Sequence, residues 1–108
     1  MSDSDDLAMV ITTVATAQEA ETLASALIDQ SLAACVQVDG PITSLYRWAG
    51  KVEKSSEFRL MIKTTQAAWP ALRDKLASLH AYEEPEIILV ALDGASEGYR
   101  RWVIDQTT

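Results

Sequence analysis

Two long β-prone runs meet at Ala49-Gly50, and few folds of 108 residues can hold both. Ile42 to Trp48 leads into that dipeptide and Lys51 to Thr64 leads away from it. In the second run Phe58, Leu60 and Ile62 fall on one face, and Arg59, Met61 and Lys63 on the other. That two-residue period is the signature of a strand. A small residue and a glycine between such runs predict a tight hairpin turn. Hairpin arms of this length overreach one small domain. Their ends must pair with something, because a bare edge invites association.

The rest of the chain supplies what such a hairpin needs. Leu7 to Thr13 is a short apolar run rich in β-branched residues, hence a buried strand. Thr16 and Glu19 then have the capping-box spacing, which predicts a helix start. Ala20, Leu23, Ala24, Leu27 and Ile28 form its apolar stripe. Leu32 to Val38 is a second β-prone run, interrupted by Gly40-Pro41, where a bulge or an edge is expected. Trp69, Leu72, Leu76 and Leu79 recur at helical spacing, with Pro70 in the first turn where its missing N–H costs little. Glu86 to Leu92 reads as the fourth strand. Ser96 opens a short last helix with Tyr99, Trp102 and Val103 inward, the two aromatics acting as core anchors.

The order β-α-β-β-α-β plus a helix predicts an α+β, ferredoxin-like split βαβ fold with one four-stranded antiparallel sheet. Both main helices then share one face, and a subunit partner is the simplest cover for the other. The chain divides into an acidic tail, residues 1–6, expected to be disordered, and one domain, residues 7–108.

Sixteen acidic residues against nine basic ones give a net charge of −7. A field of that sign repels phosphate backbones, so nucleic acid is not an expected partner. No apolar run reaches the ~18 residues of a membrane span. The start of the chain has neither the basic nor the apolar part of a signal peptide, so a cytoplasmic location is expected. The single cysteine, Cys35, excludes an internal disulfide and a CxxC zinc site. It is either a small buried hydrophobe or a reactive or copper-binding thiol. No catalytic triad, phosphate-binding glycine loop or dinucleotide fingerprint is present.

Several segments together carry a resemblance. They are Leu32-Ala33-Ala34-Cys35-Val36, Ser44 to Glu53, Glu57 with Ile62-Lys63-Thr64, and His80 to Ile88, closed by Tyr99 and Trp102. In this order and spacing the chain resembles the CutA divalent-ion tolerance family from Val10 to Ile104. The resemblance implies a tight homotrimer whose long hairpins extend sheets across subunit boundaries. It also implies a part in tolerance to divalent cations, copper above all, and a likeness to PII-type trimers that hold small ligands between subunits. The chain departs from the family pattern at Ala81, where Pro is common, and at Glu84. It also lacks the first-strand Cys and the His pair linked to copper in some bacterial members, having Ile11-Thr12-Thr13 and Leu79-His80 instead.

The resemblance places Trp48, Lys63, Tyr82 and Glu86 around an intersubunit cleft. Lys63 and Glu86 either hold opposite ends of a polar ligand between aromatic walls, or form a structural ion pair beside packed rings. His80, the only histidine, and Glu84 are the candidate metal ligands, for copper or another divalent cation. The other use of His80 is as a hydrogen-bonded interface or loop residue. The expected function is a non-catalytic binding or regulatory trimer. Two rivals are a small enzyme with Glu86 or His80 as acid or base and Lys63 as anion stabiliser, and a scaffolding trimer.

Overall fold

The computed structural model describes residues 6–108, so the expected tail lies outside the described residues except for Asp6. Asp6 is tied down: its carbonyl accepts from the Gln66 N–H at 2.8 Å, and its carboxylate lies 3.8 Å from Arg100. The elements run β1 (Leu7–Val14), α1 (Ala17–Asp29), β2 (Cys35–Trp48), β3 (Lys51–Thr65), α2 (Trp69–Leu79), β4 (Ile88–Ala91) and α3 (Glu97–Gln106). The sheet order is β2-β3-β1-β4 and every neighbour is antiparallel. This is the split βαβ order expected from the sequence.

α1 begins where its cap predicts. The Glu19 N–H donates to the Thr16 hydroxyl at 3.1 Å, and the Glu19 carboxylate reaches back to the Ala15 N–H at 3.3 Å. Two orphan donors of the helix entry are satisfied by one pair of side chains. Ala20, Leu23 and Leu27 of α1 and Leu72 and Leu76 of α2 meet Val10, Val14, Leu60 and Ile62 of the sheet in one core. The helices therefore share a face.

The other face carries Met9, Ile11 and Thr13 opposite Lys63, Met61 and Arg59. α3 packs on β1 and β3 through Val103, fully buried yet outside the core that α1 and α2 build. The expectation for the two aromatics is corrected here. Tyr99 and Trp102 remain 39% and 42% exposed, and lean on each other with ring centroids 5.7 Å apart. Among the described residues, Val103 is the buried side chain of α3.

Two strands differ from their expected extents. β2 is one continuous strand rather than two runs, its register shifting between Asp39 and Ile42. Gly40 makes the shift possible. Its φ is +149°, and a Cβ there would stand 2.6 Å from the Phe58 ring. β4 is only four residues long, which leaves Glu86 in the preceding loop. The hairpin turn has Ala49 at φ 52° and Gly50 at φ 80°. Positive φ at both central residues is the geometry that matches strand twist.

β1 pairs with β3 only as far as Val14 and Phe58, whereas β2 stays on β3 to Trp48 and Lys51. Beyond Phe58 the hairpin is thus, among the described residues, a ribbon of two strands. Among the described residues no helix is long and apolar enough to cross a membrane.

Candidate functional site

The chain leaves α2 at His80, whose N–H closes the helix on the Leu76 carbonyl at 2.9 Å. The imidazole then fixes the following loop. Its Nδ1 accepts from the Tyr82 N–H at 3.1 Å. Its Nε2 faces the Thr13 carbonyl at 2.9 Å and the Thr12 hydroxyl at 3.1 Å. A carbonyl only accepts, so the ring proton sits on Nε2. Both nitrogens are engaged in holding the loop to β1. Among the described residues no three His, Cys, Asp or Glu side chains come together to hold a metal ion.

Held this way, Tyr82 stands 5.0 Å from the His80 ring and sends its hydroxyl back to the hairpin. The hydroxyl donates to the Glu57 carboxylate at 2.8 Å. Glu57 is only 8% exposed. Burial first, then the Glu57 hydrogen bond and charge, push the Tyr82 hydroxyl well above the ordinary tyrosine range. Tyr46, on the ribbon, is pinned by a 2.8 Å bond between its hydroxyl and that of Ser55.

Between ribbon and loop lies an open groove of about 880 Å³. Ser44, Tyr46, Trp48, Ser55 and Glu57 line it from the ribbon, and Tyr82, Glu83, Glu84 and Glu86 from the loop. The structure therefore brings together Trp48, Tyr82, Glu84 and Glu86 of the residues singled out in the sequence. His80 lies behind the groove and positions one wall.

Lys63 is elsewhere. It stands six residues further along β3 from Glu57, opposite Met9 and Cys35, and donates to the Gln37 side chain at 2.7 Å. Within one chain it does not pair with Glu86. The cation that feels Glu86 is Arg59, raised chiefly by its hydrogen bond to Asp39 and more weakly by Glu86. Arg59 grips Asp39 through two bonds of 3.2 and 2.7 Å, and the first of the causes lowering the Asp39 pKa is that hydrogen bonding. Cys35 is half-buried, and the Tyr99 pKa is raised first by burial and then by its electrostatic coupling to Cys35.

Glu57 was not legible as a site residue. Alternation put it on the outward face with Arg59 and Lys63, but nothing local indicated that the loop after α2 would fold over it.

An antiparallel split βαβ sheet with three helices, carrying an acidic, aromatic-walled groove beside an extended hairpin, defines a class of small α+β protein. The family described as "CutA1 divalent ion tolerance protein" matches residues 8–106, and the chain belongs to that family. The divalent-cation tolerance protein CutA of Thermus thermophilus is 37% identical over 92% of this chain and 96% of its own length. Human protein CutA is 42% identical over 78% of this chain, which spans about half, 47%, of the human protein. The crystal structure of CutA1 from Oryza sativa superposes with a TM-score of 0.94 at 33% identity, covering 99% of this chain and 98% of its own. The structure described as the periplasmic divalent cation tolerance protein CutA of Archaeoglobus fulgidus gives 0.91 at 28% identity, over 94% and 99%.

Proposed function

We propose that this protein is a homotrimeric, non-catalytic binding module acting in the response to divalent metal ions, copper above all. The observation that carries the trimer is the unsupported ribbon. A lone two-stranded hairpin is marginal in water. This one also exposes Leu45 at 67%, Val52 at 66% and Trp48 at 56%. Among the described residues both sheet edges, β2 and β4, lack a neighbour. β2 and β4 also run in opposite directions, so the edge of one copy can accept the other edge of the next and close a ring.

The metal part of the reading rests on family membership. With both His80 nitrogens engaged, direct capture would draw ligands from several subunits, or metal tolerance would arise indirectly. A cytoplasmic setting belongs to the same proposal, and a relative described as periplasmic carries the same fold elsewhere.

Light scattering coupled to size exclusion tests the assembly. A three-chain mass at micromolar concentration is expected, and a stable monomer sinks the trimer. Calorimetry with copper(I), copper(II) and zinc tests direct binding; no heat and no retained metal leave only the indirect role.

A further inference from the structure

We propose that His80 is a pH-sensitive latch on the loop after α2, and that protonation of its Nδ1 releases Tyr82 and uncovers Glu57. Every group in the latch belongs to one chain, so the inference rests on neither the trimer nor the metal reading.

The latch follows from what each ring nitrogen does. Nε2 keeps its proton for the Thr13 carbonyl at 2.9 Å, so the lone pair left on the ring is that of Nδ1. That lone pair accepts the Tyr82 N–H at 3.1 Å. Such a gap between two nitrogens holds one proton and not two. An imidazolium donates from both nitrogens, so its new N–H would point straight at the amide N–H. Protonation and the closed loop therefore exclude each other. The same engagement leaves no free lone pair for a metal ion while the loop is closed.

Little else holds the loop. Among the described residues, the hydrogen bonds that tie residues 81–86 to the rest of the molecule both run through Tyr82: its N–H to His80, and its hydroxyl to Glu57 at 2.8 Å. Ala81, between His80 and Tyr82, is exposed and has no ring to fix its backbone. Once the amide bond is lost, the peptide there is free to turn. The Tyr82 side chain moves with it, and Glu57, 8% exposed while the loop is closed, meets water.

The charges around the ring are mostly negative. β1 offers it the uncharged Thr12 and Thr13, and α2 has no basic residue in its last turn. Arg59, opposite Thr13 on β3, is gripped by Asp39. Glu57 of β3 and Glu19 of α1 both bear on Tyr82, whose ring centroid is 5.0 Å from that of His80. Glu83 and Glu84 follow on the loop itself. An imidazolium thus sits among carboxylates and is barred by the Tyr82 N–H, which makes proton uptake and loop release a single event.

His80 is the only histidine, so its ring resonances in the full, nitrogen-15-labelled chain are unambiguous. They are followed from about pH 8 to about pH 5, across the ordinary histidine range, beside the Tyr82 amide. The amide is expected to shift with the same midpoint as the ring. Its protection from exchange, corrected for the free-peptide rate at each pH, should fall about ten-fold or more. H80N keeps an acceptor oxygen where Nδ1 stood and does not titrate, so its Tyr82 protection should be flat over the same range. A Tyr82 amide unmoved while the ring titrates overturns the proposal. So does a ring that stays neutral at the acid end in the folded chain. An equal loss of protection in H80N overturns it too, by assigning the effect to the carboxylates. Should H80N fail to fold, the ring and amide of the parent decide by themselves. Light scattering and metal calorimetry judge the other reading separately. A monomer, or a chain that retains no metal, leaves the latch standing, and a metal-binding trimer whose Tyr82 amide ignores the ring sinks only the latch.

Discussion

The Tyr82 hydroxyl donates to the Glu57 carboxylate across 25 residues of sequence, at 2.8 Å. That bond joins the loop after α2 to the point on β3 where the sheet ends and the ribbon begins. Y82F removes it and leaves a buried carboxylate without a donor. The expected cost is about 1.5–3 kcal/mol of stability, measured by urea denaturation. The pH dependence has a definite sign. A tyrosine whose pKa is raised on folding contributes stability that is complete below its unfolded pKa of about 10 and is lost as pH rises through the folded value. Stability should therefore decline above about pH 10. In an ultraviolet titration, Y82F should delete a tyrosine that ionises late.

His80 holds that loop from behind. H80A removes the acceptor of the Tyr82 N–H and the donor to the Thr13 carbonyl. Hydrogen exchange at the Tyr82 amide should speed up at least about ten-fold, the equivalent of one net hydrogen bond. Nitrogen-15 shifts of the ring should report the proton on Nε2; a proton on Nδ1 would contradict the geometry.

Asp39 makes the acid limb of the stability curve predictable in direction. Its pKa is lowered, first by the Arg59 hydrogen bond. A lowered carboxylate pKa gives stability that is present above the unfolded pKa of about 3.9 and lost as pH falls through the folded value. D39N should flatten the stability curve below about pH 4, in circular dichroism melts compared with the parent.

Two positive-φ positions of the hairpin, Gly40 and Ala49, should respond with opposite signs. G40A forces a Cβ to within 2.6 Å of the Phe58 ring and 3.0 Å of the Glu57 carbonyl at φ +149°. It should cost about 2 kcal/mol or more. A49G relieves an alanine held at φ 52° and should raise stability by about 0.5 kcal/mol or more, read from the chemical denaturation midpoint.

Leu45 and Val52 test the assembly. Both are two-thirds exposed within the chain, and their strands pair Leu45 with Lys54 and Arg47 with Val52. A charge at both, L45E with V52E, should convert a three-chain mass to monomer in light scattering while the far-UV spectrum of the domain persists.

Local chemistry made much of this fold readable along the chain. Thr16 and Glu19 are three residues apart, Pro70 stands in its own helix's first turn, and Leu60 and Ile62 alternate with Arg59 and Met61. Each of those signals acts over one turn or one pleat, so neighbouring residues suffice to set it. The groove is different. Trp48, Tyr82 and Glu86 were picked out by resemblance as cleft residues, while Glu57 carried the resemblance without being given a place in the site. Its burial depends on a loop arriving from 25 positions away, and that loop's course depends on His80 reaching back 67 residues to Thr13. Lys63, grouped with them by the same resemblance, stands apart because one chain places it along β3 rather than across the groove. Alternation assigns Glu57 and Lys63 to a face of their strand. Which faces meet, and so which charges lack a partner, was decided only when distant segments packed, because burial and charge pairing are properties of contacts rather than of positions in the chain.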